Sequence, residues 1–158
     1  MLSFYYVDKE YASYLRQFDS KVPSLDYDNH NKFFCGIVLN VNNIKYYVPV
    51  SHDITKQQTS LIIYDKGRGI SSLKFAFMIP VPNSKITRID FNQIAKKDSK
   101  YADLLRAEYY YCSSHEAEIL KKAKSVYKIG CNQKHKLHGV CCKFPLLEEK
   151  LEDYNLLS

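Results

Sequence analysis

Short apolar runs broken by turn residues fill the first ninety positions, and a helical period takes over after them. Leu2–Val7 reads as a strand. Asp8 can cap a helix in which Tyr11, Tyr14, Leu15 and Phe18 fall at i, i+3, i+4 and i+7, one apolar face. Pro23 and the largely polar stretch Ser24–Asn31 predict a loop. Phe33–Val41 and Ile44–Val50 are β-rich runs joined by Asn42-Asn43, a tight-turn pair because Asn tolerates positive φ. After the polar loop Ser51–Thr59 comes a second pair, Ser60–Tyr64 and Ser72–Val81, around the Gly-containing turn Asp65–Gly69. Lys85–Asp90 adds a short edge strand, with Pro80 and Pro82 interrupting the ladder before it.

From Phe91 onward the apolar spacing is helical. Tyr101, Leu104, Leu105 and Tyr109 form one face, and Ser113-x-x-Glu116 has the capping-box pattern that opens a helix running to about Lys128. Gly130 reads as its C-terminal stop, and Phe144–Tyr154 is a third amphipathic helix with Pro145 in its first turn. Strands first and helices after predict an α+β fold: a small antiparallel sheet or partly open barrel flanked by helices. The 158 residues suit a single domain over 1–158, since two would each have a thin core.

Composition narrows the picture further. At 46% hydrophobic and 25% charged, the chain is an ordinary globule rather than a disordered one. Fourteen Tyr and eight Phe offer rings that could stack on bases if they are half exposed. No run of 18 apolar residues is present, and the N-terminus lacks the cationic-then-apolar pattern of a secretory signal. Five cysteines (35, 112, 131, 141, 142) would leave one thiol over in a disulfide framework, which points to a reducing cytoplasm. The charge, +6 overall, is uneven: residues 121–143 hold seven lysines and no acid. Lys122, Lys124, Lys128, Lys134 and Lys136 form either a solvated helix face or an electrostatic footprint for phosphates.

Gly-rich phosphate loops, a G-x-S-x-G elbow and H-E-x-x-H are absent. Cys131, His135, His138 and Cys141 are four soft ligands within eleven residues, which would make the chain a zinc-binding protein, although the spacing matches no common finger. The end of the second β-run, Tyr46–His52, is the other candidate. A hydroxyl (Ser51) and an imidazole (His52) sit where a strand enters a loop, Lys56 follows, and pairing about the Asn42-Asn43 turn sets Lys32 almost opposite His52. Histidine changes charge near neutral pH, and lysine stabilises charge on phosphorus, so the group fits phosphodiester chemistry on RNA without a metal cofactor. An N-capping serine beside a surface histidine is the structural alternative, and a non-catalytic RNA-binding module the functional one.

Four blocks then carry a resemblance. Tyr11, Tyr14-Leu15, Phe18-Asp19-Ser20-Lys21-Val22-Pro23 and Gly36-Ile37-Val38-Leu39 form the first. The others are Tyr47-Val48-Pro49-Val50-Ser51, Leu73–Val81 and Cys142–Lys150. In this order the chain resembles the endoribonuclease toxins of type III toxin–antitoxin systems, the ToxN/AbiQ/CptN family. The resemblance implies a compact, highly twisted sheet like that of the MazF/Kid toxins. It also implies metal-independent RNA cleavage leaving 2′,3′-cyclic phosphates, and a repeat-derived RNA pseudoknot antitoxin held in a closed protein–RNA assembly. Cellular or phage mRNA would be the substrate. The family's active-site tyrosine falls on Tyr11, its loop lysines on Lys21 and Lys32, and its Thr/Ser on Ser51. Two positions depart: the family's second hydroxyl is His52 here, and its next lysine is Ile54, with Lys56 two residues later. In this light the 121–143 stretch becomes an RNA groove.

Overall fold

The computed structural model describes residues 1–25 and 31–157, so most of the loop expected over Ser24–Asn31 lies outside the described residues. The chain begins with β1 (Ser3–Val7) and α1 (Lys9–Arg16), and Asp8 caps the helix by accepting from the Tyr11 amide at 2.9 Å. β2 (Phe34–Val41) and β3 (Ile44–Ser51) form the expected hairpin, with Asn42 and Asn43 at φ 51° and 69°. β4 (Ser60–Asp65) and β5 (Arg68–Lys74) form a second hairpin, and short β6 (Ile79–Pro80) and β7 (Ile86–Arg88) follow. All strands pair antiparallel in the order β4-β5-β3-β2-β1-β7, with β6 also on β3. Then come α2 (Phe91–Lys97), α3 (Ser99–Ser114), α4 (Glu116–Cys131) and α5 (Phe144–Leu157). The architecture is α+β, as expected. No helix among the described residues is long and apolar enough to cross a membrane.

Two departures from the expected sheet position the site. The β2–β3 ladder shifts at a bulge between Gly36 and Leu39: Leu39 faces Tyr46, but Gly36 faces Tyr47. Beyond the bulge Val50 donates to the Phe33 carbonyl, so Lys32 falls opposite Ser51 and not His52. A side chain at position 36 would run into the Tyr47 ring, so this close approach requires glycine. The run Ser72–Val81 is not one strand. It stops at Lys74, turns through a 3₁₀ segment at Phe75–Phe77, and rejoins β3 at Ile79. Backbone partners outside the sheet hold this break: Phe75 donates to the Thr59 carbonyl, and Cys142 to that of Ala76. β3 therefore pairs with β5 through Val50 and Ser51, and with β6 through Tyr46 and Tyr47, leaving an opening beside its end.

The helical half holds two smaller corrections. Ser113 lies within α3 and makes no capping box; His115 occupies the N-cap of α4, and Glu116 instead accepts from the Leu2 amide. The apolar packing of Ile119, Ala123, Val126 and Ile129 carries α4 past Gly130 to Cys131. Gly130 is buried inside the helix, where its lack of a side chain admits the Phe144 ring. α3 packs on β4, α4 on β2 and the 3₁₀ turn, and α5 on β6 and α1.

Candidate active site

Where β3 ends, the loop 52–59 is tied down by its own polar groups. Ser51 Oγ accepts from the Asp53 amide at 3.1 Å, and the Asp53 carbonyl accepts from Ser72 Oγ of β5 at 2.5 Å. Lys74 Nζ donates to Asp53 Oδ2 at 3.0 Å and, more weakly, to Gln57 Oε1 at 3.4 Å. The Lys74 side chain is only 8% exposed, so its ammonium needs this anionic partner. Hydrogen bonds from Thr55, and then Lys74, hold the Asp53 carboxyl well below the usual carboxylate range. Lys122 of α4 pins the far end of the loop through the Gln58 carbonyl at 2.9 Å.

A cavity of about 360 Å³ opens over this arrangement, with Ser51, Lys32, Lys21, Arg16, Asp53 and Lys74 around it. The segment carrying Lys21 is itself fixed. Asp19 is buried, accepting from the Lys21 amide at 3.0 Å and the Lys143 amide at 2.7 Å, while Arg16 donates to the Val22 carbonyl. Four cationic side chains against one carboxylate make the cavity electropositive. Cations lining one cavity, beside a serine whose oxygen already accepts from a backbone amide, suit a phosphate whose charge grows during reaction.

The residues marked in the sequence separate. Ser51, Lys32 and Lys21 come together in this cavity. His52 is exposed and is not among its lining residues. Lys56 lies along a separate cavity of about 460 Å³, with Tyr64 and Tyr111. Tyr11 is in the core, wholly buried, donating to the Pro80 carbonyl at 2.6 Å and packed edge-on to Tyr154; burial pushes its pKa far up. Of the lysines of 121–143, Lys122 turns to the loop and Lys136 to a third cavity, while Lys124, Lys128 and Lys134 are exposed. Cys131 is exposed while Cys141 is buried, and among the described residues no three His, Cys, Asp or Glu are grouped to hold a metal.

Lys74, Asp53 and Arg16 were not singled out from the sequence. Lys74 stands in an apolar β-run, Leu73–Val81, and a lysine inside such a run was the one available signal.

The chain and its fold have known relatives. A family model described as toxin ToxN, type III toxin–antitoxin system, matches residues 3–152. Endoribonuclease ToxN of Bacillus thuringiensis subsp. kurstaki is 32% identical over 161 residues, covering 96% of this chain and 83% of that protein. A solved structure concerned with selective toxin inhibition by a non-coding RNA pseudoknot in type III systems has a TM-score of 0.91 at 32% identity, covering 98% of each chain. The structure of AbiQ, a lactococcal anti-phage endoribonuclease of a type III system, has a TM-score of 0.83 at 27% identity, again covering 98% of each chain.

Proposed function

The chain belongs to the ToxN family of type III toxin–antitoxin toxins, and we propose that it cuts RNA in the Ser51–Lys32–Lys74 cavity. The observation that carries this reading is the convergence of four cations and an oriented serine hydroxyl at the end of β3. The 2′-oxygen attacks the adjacent phosphorus while the P–O5′ bond breaks, leaving a 2′,3′-cyclic phosphate and a 5′-hydroxyl. Lys32 and Lys74 stabilise the phosphorane, and Lys21 and Arg16 hold the flanking backbone. Ser51, its oxygen occupied by the Asp53 amide, donates its own proton to a phosphate oxygen and orients the 2′-OH. Asp53 is held too acidic to serve as base; His52, next in the chain to Ser51 though outside the cavity lining, meets the RNA at the loop entrance and exchanges the protons there. Lys56 grips the RNA strand beyond the cut, and Tyr11 supports the core under the site.

The four side-chain cations supply the charge a metal would and disfavour a second cation, so the cleavage is metal-independent. The substrate is cellular or phage mRNA in the cytoplasm. The antitoxin is a repeat-derived RNA pseudoknot that the toxin both cuts and is inhibited by, as a member of a closed protein–RNA assembly. Its sheet serves as a twisted platform of the MazF/Kid kind, a reading supported by its open antiparallel order. The test is incubation of the protein with RNA in excess EDTA, followed by mapping of product ends. Cutting with cyclic-phosphate ends is expected. Loss of cutting on chelation would refute metal independence, and RNA bound but never cut would make the chain a binding module.

A further inference from the structure

A cavity of about 450 Å³ adjoins the electropositive one, and the two share Asp53, Lys74 and Phe77 as walls. Their chemistries differ. The first is lined by charges; the second is bounded by the half-buried Phe77 and Leu137 and by Val140, which is 47% exposed. The exposed Gln57, Gln58 and Lys136 also line it. Gln57 Oε1 already accepts from Lys74, which leaves its amide N–H groups to a ligand. A ribonucleotide carries the same two chemistries side by side: an anionic phosphate, and a flat base with apolar faces and a polar edge. The volume lies in the range of ordinary small-molecule sites.

We propose that this second cavity is a nucleobase subsite, in which Phe77 is the stacking wall and the Gln57 and Gln58 carboxamides read an acceptor edge of the base beside the scissile phosphate. The inference rests on the RNA-cleaving reading of the first cavity and adds the sequence-reading element to it. The shared Lys74 ties the two together, since one ion pair with Asp53 forms the wall between phosphate and base. A strand seated in both cavities is thereby held in register for cleavage next to the base that fits.

Calorimetric titration of the protein with the four nucleoside 5′-monophosphates and with ribose 5-phosphate tests this directly. The base should raise affinity about 5- to 100-fold over ribose 5-phosphate, the range that stacking of one base spans. Val140→Trp, at an exposed position that tolerates bulk, should fill the cavity and erase that difference while ribose 5-phosphate still binds. Gln57→Ala and Gln58→Ala should flatten the ranking among the four nucleotides. Equal affinity for nucleotides and ribose 5-phosphate would overturn the subsite, as would a Val140→Trp protein that keeps the difference. RNA cutting measured in parallel separates the two readings: a protein that cuts RNA but gains nothing from a base loses the subsite alone. One that gains from a base yet never cuts loses the cleavage reading alone.

Discussion

The Ser51 cavity and the tyrosine-rich core beneath the sheet both gather polar groups, and they use them in opposite ways. In the core the hydroxyls are consumed. Tyr11 donates to Pro80, Tyr14 to the Lys150 carbonyl at 2.8 Å, and Tyr46 and Tyr127 converge on one carboxylate oxygen of Glu148 at 2.6 and 2.7 Å. Burial, reinforced at Tyr46 and Tyr127 by Glu148, keeps these phenols protonated. In the cavity Lys74 is fixed by Asp53, Arg16 by the Val22 carbonyl and Ser51 by the Asp53 amide, yet with Lys21 and Lys32 they line a space open to a ligand. Rings are spent on structure here, and the cations face a space of ligand size. Three buried core groups stand apart from this pattern: the Tyr47 hydroxyl, the Glu108 carboxylate and the Ser71 hydroxyl have no partner within normal hydrogen-bond geometry among the described residues.

The sharpest way to break the contrast is at Lys74. Lys74→Met keeps the length and apolar stem but removes the ammonium, and should cost on the order of 10²–10³-fold in kcat, the loss typical of one charge-stabilising donor. Single-turnover cleavage against circular dichroism checks that rate falls while the fold remains; an unchanged rate would remove Lys74 from the mechanism.

Glu108 tests the core side. Burial pushes its carboxyl up to about 7, with Ser71 pulling slightly the other way. A carboxyl raised on folding binds more protons in the native state, so its contribution is fully present below the unfolded value of 4.5 and is lost as pH rises through 7. This group should lower stability by on the order of 3 kcal/mol across that window. In Glu108→Gln the slope of denaturation midpoint against pH from 4.5 to 7.5 should flatten; an unaltered slope would place the titration elsewhere.

His52→Ala sits on the boundary between the two regions. As the proton-exchange group it should lower kcat about 100-fold at pH 7 with KM little changed, the lower end for acid–base catalysis by a group at the entrance. Wild-type rates across pH 5 to 8 would give that role to solvent. The smallest effect belongs to Tyr11→Phe, which strands the Pro80 carbonyl and should cost about 1–2 kcal/mol of stability. Its cleavage rate should match wild type once both are folded; a rate loss without a stability loss would put Tyr11 in the chemistry after all.

Much of this protein is written locally. Asp8 marks the start of α1, Asn42-Asn43 can adopt positive φ, and the 3.6-residue spacing of Ile119, Ala123, Val126 and Ile129 makes a helix wherever a core is offered. The four blocks likewise reveal the family, because they are contiguous stretches of chain. Ser51 and Lys21 lie inside those blocks, whereas Lys32 was brought to the same edge of the sheet by pairing about the Asn42-Asn43 turn. What tertiary structure decided is where two strands fail to be regular. The bulge at Gly36–Leu39 turns Lys32 toward Ser51 instead of His52, and the 3₁₀ break at Phe75–Phe77 brings Lys74 and Phe77 to the cavity walls. Neither follows from local preference. The first depends on Gly36 meeting the Tyr47 ring, and the second on Phe75 and Ala76 finding backbone partners in Thr59 and Cys142, sixteen and sixty-six residues away in the chain. Contacts at such separations exist only once the core has closed, so the sequence names the elements and the packing chooses which of their side chains meet.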